Sequence, residues 1–167
     1  MKPSNPLASL VPPTEADADE VDYYRQRLHD PSLLEQAVGV ELEGYVFLAV
    51  PVGGRRQGGD LSVPEVLTGV AVRRLLIGRC GFPDVRLSWS PYEDACHSVR
   101  WGAPPPAEDT CVADGWHYGY SDRAIASVVE TYGHFADPRS ALLGTADRGR
   151  VADCSLFTGL PSRATIG

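Results

Sequence analysis

Residues 82–102 read FPDVRLSWSPYEDACHSVRWG, and on both sides of a turn this stretch alternates apolar or aromatic residues with polar ones. A period of two is that of a β-strand, because successive side chains of a strand point to opposite faces of a sheet. The stretch therefore predicts a β-hairpin. The hairpin turns Trp89 and Trp101 towards the core and presents Arg86 and Arg100 on a polar, serine-rich face.

The arginine pair is the most informative feature of the polar face. The register that aligns the serines of the two strands also places Arg86 opposite Arg100. Like charges that face each other on a sheet repel, so the pair requires a carboxylate from another element or an anionic group from outside. Glu41 and Glu43 lie at the outward positions of an earlier strand. They favour an internal charge ladder, and the alternative is an anion-binding site.

Periodicity and capping signals outside the hairpin predict the remaining elements. These are a helix over 15–29, a short helical turn after Ser32, two strands hinged near Gly44, a helix from a capping box at Ser62 to Gly78, and a helix from Ser121 to Gly133. The run 45–50 is continuously apolar, so the second of the two strands is expected to be central. The segment GGRRQGGD at 53–60 is interpreted as a flexible loop, because glycine restricts the backbone least. The predicted buried side of the middle helix consists of Val66, Leu67, Val70, Ala71 and Ile77.

This order of elements predicts an α+β fold with an antiparallel sheet of about four strands and helices packed on one face, in the order α-β-β-α-β-β-α. Residues 1–13 are rich in proline and polar side chains and are predicted to be a disordered tail. Residues 14–133 are expected to form a single domain, since a chain of 167 residues suits one core. Residues 134–167 are predicted to be a poorly ordered tail or a short helix.

Charge limits the classes of partner. The formal net charge of −7 disfavours non-specific contact with nucleic acid, which normally needs a basic surface. Residues 44–102, however, carry seven basic and five acidic side chains, so the middle of the chain is locally basic. Fourteen arginines stand against one lysine, a bias that fits a GC-rich coding sequence.

Hydropathy and cysteine spacing predict the location and the cofactors. The longest apolar run is far shorter than the roughly 20 residues that cross a bilayer, and the N-terminus lacks the apolar core of a secretory signal. We therefore expect a cytoplasmic protein that does not contact a membrane, with its cysteines as free thiols. The candidate zinc ligands are Cys96, His97, Cys111 and His117. Zinc sites usually contain closely spaced ligand pairs, and these residues lack such spacing, so no metal or cofactor is predicted.

The tip of the hairpin contains the candidate catalytic residues. Asp94 and His97 form a possible carboxylate–imidazole pair, and Cys96 is a possible nucleophile beside them. The pattern matches no complete catalytic signature. A turn aspartate more often bonds its own backbone, and a strand histidine on an apolar face is more often a packing residue.

Two further segments contain candidate binding residues. Arg55 and Arg56 lie in the glycine-rich segment, which lacks the Gly-Lys-Ser/Thr ending of a phosphate-binding loop. Two adjacent guanidinium groups fit phosphate or carboxylate, and the bland alternative is that both are solvated. Trp116 and Tyr118 belong to an aromatic run that suits a stacking surface, although such runs more often close the edge of a core.

Three segments carry a resemblance to a known group of proteins: AVPVGGRRQGG, the hairpin GFPDVRLSWSPYEDACHSVRWG, and GYSDRAIASVV. Together they resemble a family of small actinobacterial, Streptomyces-like domains of unknown function, over about residues 22–129. The resemblance implies an actinobacterial source and no particular activity, cofactor or catalytic residue.

The favoured hypothesis is a non-enzymatic partner-binding or accessory, regulatory protein whose partner is another protein; its oligomeric state stays open. One alternative is a small hydrolase or transferase that uses the residues at the hairpin tip. A second alternative is a nucleic-acid-binding module that uses the arginine-rich loop and the sheet face. That alternative predicts one exposed surface formed by Arg55, Arg56, Arg73, Arg74 and Arg86.

Overall fold

The computed structural model describes residues 7–91, 96–108 and 110–132, and within them the predicted α+β class is confirmed. The strands are β1 (Ser9–Val11), β2 (Val38–Leu42), β3 (Tyr45–Ala49), β4 (Gly58–Val63), β5 (Arg86–Ser88) and β6 (His97–Gly102). The α-helices are α1 (Ala18–Arg27), α2 (Val66–Leu76), α3 (Cys111–His117) and α4 (Asp122–Tyr132). Short 3-10 helices at Pro13–Glu15 and Pro31–Gln36 flank α1. The predicted tail 134–167 and the predicted helix end at Gly133 lie outside the described residues.

The strands form two antiparallel sheets of three, in the orders β1-β2-β3 and β4-β6-β5. The prediction of one sheet of about four strands therefore differs in number and arrangement. Strand β3 lies at an edge, so the prediction that it is central is wrong, and β2 takes the central place. Strand β1 lies within the predicted tail 1–13, where its residues pair with β2. The ordered fold thus begins before residue 14.

The hairpin of β5 and β6 forms in the predicted register, with Ser88 opposite Ser98 and Arg86 opposite Arg100. Its two tryptophans differ, which corrects the prediction that both face the core. Trp101 is 1% exposed: its indole N–H donates to the carbonyl oxygen of Val50 at 3.0 Å. Trp89 is 60% exposed, because β5 ends one residue before it.

Strand β4 is a strand that the sequence did not predict. Its first half lies in the glycine-rich segment, where the sequence predicts a flexible loop, and its second half includes Ser62 and Val63, the first residues of the predicted capping box. Gly59 pairs with Trp101, and a Cβ at Gly59 would lie 2.6 Å from the indole ring. Glycine is therefore required here because the neighbouring ring takes the space of a side chain. Helix α2 begins only at Val66, without a side-chain cap.

Helix α2 packs against β5 and β6 with a face different from the predicted one. Val72 and Leu76 are fully buried, and a Cβ at Gly69 would lie 2.6 Å from the side chain of Leu87. Leu67 and Ile77, predicted to be buried, are exposed.

A second core joins the helices to the first sheet. Tyr24 from α1 and Leu28, directly after this helix, cluster with Tyr120 and Ile125, around the C-terminal pair of helices. Helix α3, absent from the predictions, begins where the side chain of Thr110 accepts a hydrogen bond from a backbone N–H. The aromatic run before α4 is therefore partly helical.

A buried carboxyl group connects α1 to strand β3. Glu20 is 4% exposed, and its Oε1 accepts a hydrogen bond from the backbone N–H of Leu48 at 3.1 Å. Its Oε2 has no hydrogen-bond partner among the described residues. Burial disfavours the charged form and raises the pKa of Glu20 from 4.5 to about 7, although the bond from Leu48 acts in the opposite direction.

We predict that Glu20 makes the protein less stable as pH rises. A carboxyl group with a raised pKa in the folded state holds a proton that the unfolded chain releases. Its stabilising contribution is therefore complete below pH 4.5 and is lost as pH rises through about 7. One pKa unit corresponds to about 1.4 kcal/mol, so the rise from 4.5 to about 7 should change the free energy of unfolding by about 3 kcal/mol.

The measurement is urea unfolding of the wild type and of Glu20→Gln between pH 4.5 and 8. Glutamine retains an oxygen that can accept from Leu48 and does not titrate. The wild type should lose stability relative to the variant across this range. A constant difference between the two proteins would contradict the assignment.

We also predict that Gly59→Ala destabilises the protein by about 1–3 kcal/mol, because the added methyl group overpacks against Trp101. Ser62→Ala is the matched control, since Ser62 is exposed on the same strand and should change stability by less than about 0.5 kcal/mol. Equal urea midpoints for the two variants would disprove the packing argument.

Candidate functional site

The candidate site is one side of the second sheet, which we name the polar face. Alternation along three strands places the same class of residue on this side. The polar face consists of Asp60, Ser62, Arg86, Ser88, Ser98 and Arg100. Helix α2 covers the opposite side, where Val63 and Leu87 lie near Gly69. The hairpin pattern predicted the β5 and β6 parts of this surface, and β4 adds Asp60 and Ser62.

A charged row crosses the polar face. Asp60 pairs with Arg100, and Arg100 pairs with Arg86, so one carboxylate and two guanidinium groups lie on adjacent strands. A row of serines lies next to it, formed by Ser62, Ser98 and Ser88. Cross-strand neighbours of this kind lie within reach of each other's side chains.

The internal partner of the arginine pair is Asp60, and this corrects the prediction that Glu41 and Glu43 fill that role. Glu41 belongs to the first sheet, where it accepts a hydrogen bond from the hydroxyl group of Ser9 at 2.9 Å. Glu43 is exposed in the turn between β2 and β3, with a positive φ of 51°. The predicted partners Glu41 and Glu43 are therefore wrong, and Asp60 is the carboxyl group that lies beside Arg100 on the adjacent strand.

The two arginines of the row are held differently. Arg86 donates from Nη1 to the carbonyl oxygens of Asp84 and Gly102, at 3.1 and 2.8 Å, and from Nη2 to that of Ala103 at 3.2 Å. These bonds fix its guanidinium group at the end of β6. Arg100 has a buried Nε atom without a hydrogen-bond partner among the described residues. A buried donor that lacks an acceptor is costly, so this atom marks the position where the row is incomplete.

Asp60 lies in a partly desolvated position. Burial raises the pKa of its carboxyl group above the usual value, although the charge of Arg100, a hydrogen bond with Tyr118 and the charge of Arg56 act in the opposite direction. The contact with Tyr118 connects the row to the segment that follows α3. Asp60 is therefore both a member of the sheet and a link to the helical side of the molecule.

His117 covers one end of the polar face. Its ring is so near Gly58 that a Cβ there would lie 2.7 Å from the Cε1 and Nε2 atoms. Desolvation lowers the pKa of His117, and the charges of Arg56, Arg100 and Arg86 lower it further. The imidazole is thus neutral at neutral pH, and it senses the positive charge of the row.

The predicted binding residues of the glycine-rich segment do not join the polar face. Arg55 donates to Oδ1 of Asp122 at 3.1 Å and lies 5.0 Å from the ring centroid of Trp116. Arg56 is 3% exposed and donates to the carbonyl oxygens of Val50 and Tyr118, at 3.3 and 2.9 Å. One residue thus belongs to a surface pair, and the other is a buried link between elements.

The two aromatic candidates also separate. Trp116 is 43% exposed and available on the surface of α3. Tyr118 is buried and stacks on Tyr120 with ring centroids 6.1 Å apart, which favours the core-closing interpretation. The two rings therefore do not form one stacking surface.

Of the catalytic candidates, Asp94 lies outside the described residues. Cys96 is exposed. His97 accepts a hydrogen bond at Nδ1 from the backbone N–H of Ser90 at 3.1 Å, and its ring meets Trp89 edge to face at 5.6 Å. These contacts favour a packing role for His97, and its catalytic role stays a prediction.

Two other hypotheses concern groups of residues. Within the described ranges, no three His, Cys, Asp or Glu side chains lie close enough to hold a metal ion. The five arginines of the nucleic-acid hypothesis do not share one exposed surface: Arg56 is buried, and Arg86 lies on the side of the sheet opposite α2, which carries Arg73 and Arg74.

A family model described as a family of unknown function, DUF6302, matches residues 11–150. The chain belongs to the DUF6302 family. The match is longer at both ends than the 22–129 span of the resemblance noted above, and it includes part of β1. No curated protein and no solved structure matches this DUF6302 chain significantly. None of its described helices has the length and apolar character needed to cross a bilayer.

We predict that Arg100→Gln raises the pKa of His117 towards 6.5, because the charge of Arg100 is one of the causes that lower it. The measurement is an NMR titration of the imidazole Cε1–H signal. Arg74→Gln is the control, since Arg74 is exposed on α2, against the opposite side of the sheet. Identical titrations in all three proteins would show that the row does not act on His117.

Proposed function

We propose that this DUF6302 protein is a non-enzymatic partner-binding protein, and that the polar face is its contact surface for another protein. The observation that carries the proposal is the buried, unpartnered Nε of Arg100 in the middle of a charged row. Buried polar groups in folded proteins almost always have a partner, so an exception requires an explanation. A bound protein supplies that partner once the side chain of Arg100 turns towards the half-exposed sheet face, because the Nε atom is not accessible in the free chain.

The composition of the polar face supports the proposal. Arginine is enriched among the residues that dominate the binding free energy of protein interfaces. Serine hydroxyl groups can donate or accept, and Ser88 and Ser98 are only half-buried. Because Arg86 is anchored by three carbonyl oxygens, part of the surface is already ordered before any partner binds.

The alternatives have less support. A hydrolase or transferase would need His97 as a base, and its Nδ1 already accepts from Ser90. A nucleic-acid-binding module would need the dispersed arginines as one surface, on a protein of net charge −7. We also propose a cytoplasmic location, which the free thiols of the exposed Cys80 and Cys96 support, and an actinobacterial source, which the arginine bias supports.

The experiment is affinity capture with the tagged full-length chain from an extract of its source organism. The wild type and Arg74→Gln should recover the same specific protein. Arg100→Gln should recover at least about tenfold less, because loss of one partner from a desolvated charge pair weakens binding by more than 1.4 kcal/mol.

Circular dichroism and thermal unfolding of the variants show whether each is folded. Recovery of no specific protein by the wild type would contradict partner binding. Equal recovery by the wild type and by a folded Arg100→Gln would contradict the assignment of the polar face as the contact surface.

A further inference from the structure

We infer that a cleft between the end of α1 and the start of α4 is a second binding site, and that Arg27 and Arg123 bind the phosphate group of a small phosphate monoester there. This α1–α4 cleft is lined by Gln26, Arg27, Arg123, Ala124, Ser127 and Val128. Its volume is about 470 Å³, within the usual range of small-ligand sites. It shares no residue with the polar face, so the inference does not depend on the proposed function.

Backbone contacts fix the two walls of the α1–α4 cleft relative to each other. The N–H of Ser121, directly before α4, donates to the carbonyl oxygen of Arg27, the last residue of α1, at 2.7 Å. Leu28 forms an antiparallel β-bridge with Tyr120, and both residues are buried. A site whose walls are ordered before binding loses less conformational entropy when a ligand binds.

Arg27 is held in place and still has donors to offer. Its guanidinium carbon lies 3.7 Å from the ring centroid of Tyr23, and its Nη1 donates to the carbonyl oxygen of Tyr23 at 3.2 Å. The Nε and Nη2 atoms have no acceptor among the described residues, and neither atom is buried. Stacking covers a face of the guanidinium plane and leaves its edge for the oxygens of a phosphate group.

Arg123 supplies a second positive charge. It is exposed in the first turn of α4 and forms no hydrogen bond or ion pair with the part of the chain that the structure describes. The positive end of the α4 dipole lies in the same turn and also favours an anion. Gln26 and Ser127 add an amide donor and a hydroxyl donor.

No acidic side chain offsets the two arginines among the described residues that line the cleft. Asp22, one turn before Gln26 on α1, is paired with Arg25. Asp122, next to Arg123 in the sequence, is paired with Arg55. Because guanidinium groups stay charged at every relevant pH, the cleft keeps two positive charges on a protein whose net charge is −7.

A phosphate monoester matches both the charge and the apolar part of the cleft. Its phosphate group carries a charge of about −1.5 to −2 at pH 7, which suits two guanidinium groups, whereas a carboxylate leaves one of them unneutralised. Ala124 and Val128 form an apolar wall beside the arginines. A small organic group can pack against this wall, and inorganic phosphate cannot use it.

The test is an NMR titration of the full-length ¹⁵N-labelled protein at about pH 7 and constant ionic strength. The probes are phenyl phosphate, inorganic phosphate, and benzoate, which combines the same ring with a single negative charge. Phenyl phosphate should shift the backbone amide signals of Arg123, Ala124 and Ser127 with saturation. Benzoate should bind at least about tenfold more weakly, and inorganic phosphate about threefold more weakly.

Variants of the two arginines test their roles. Arg123→Gln and Arg27→Gln should each weaken binding of phenyl phosphate about tenfold or more. Arg74→Gln is the control, because it removes the same charge from a residue that does not line the cleft, and it should leave the affinity unchanged. Arg27→Lys keeps the charge but loses the planar group that stacks on Tyr23, so it should also bind more weakly than the wild type.

Several results would overturn the inference. The first is the absence of saturable shifts with phenyl phosphate. The second is an affinity for benzoate or for inorganic phosphate that equals or exceeds the affinity for phenyl phosphate. The third is unchanged binding by Arg123→Gln, whose exposed side chain makes no contact that the fold needs, so that circular dichroism should show it folded like the wild type.

Discussion

The carbonyl oxygen of Val50 holds the two sheets together. It lies directly after β3 and accepts hydrogen bonds from the indole of Trp101, at the end of β6, and from Nε of Arg56. Pro51 follows, and proline cannot donate to a ladder, so the chain leaves the first sheet at this point. Two buried donors from separate elements thus converge on one acceptor, and loss of either would leave polar atoms unsatisfied in the core.

Arg56, one of the two donors to Val50, also positions residues around the candidate site. Arg56 also donates to the carbonyl oxygen of Tyr118, which positions the segment after α3. That segment brings Tyr118 to Asp60 and His117 to Gly58. The polar face is therefore not an isolated strip of a sheet, because its charge environment depends on a core arginine that never reaches the surface.

The sequence was sufficient to predict the hairpin and the arginine pair, since strand period and register follow from local alternation. Strand β4 was missed although Gly59, Leu61 and Val63 alternate with Gly58, Asp60 and Ser62. Its glycines suggest a loop when considered locally, and only the bulk of Trp101 and His117, far away in the chain, explains why they are needed. Asp60 and His117 were missed as site residues for the same reason, because long-range pairing decides which elements meet.

The hydrogen bond between Glu20 and Leu48 affects the tendency of the protein to aggregate. Strand β3 is an edge strand, and an open edge is a template on which a foreign strand can add and start aggregation. The carboxyl group of Glu20 accepts the hydrogen bond from the backbone N–H of Leu48, so this N–H is not free to pair with a foreign strand. Helix α1 thereby protects the first sheet against intermolecular strand addition, in a way that hydrophobic packing alone does not provide.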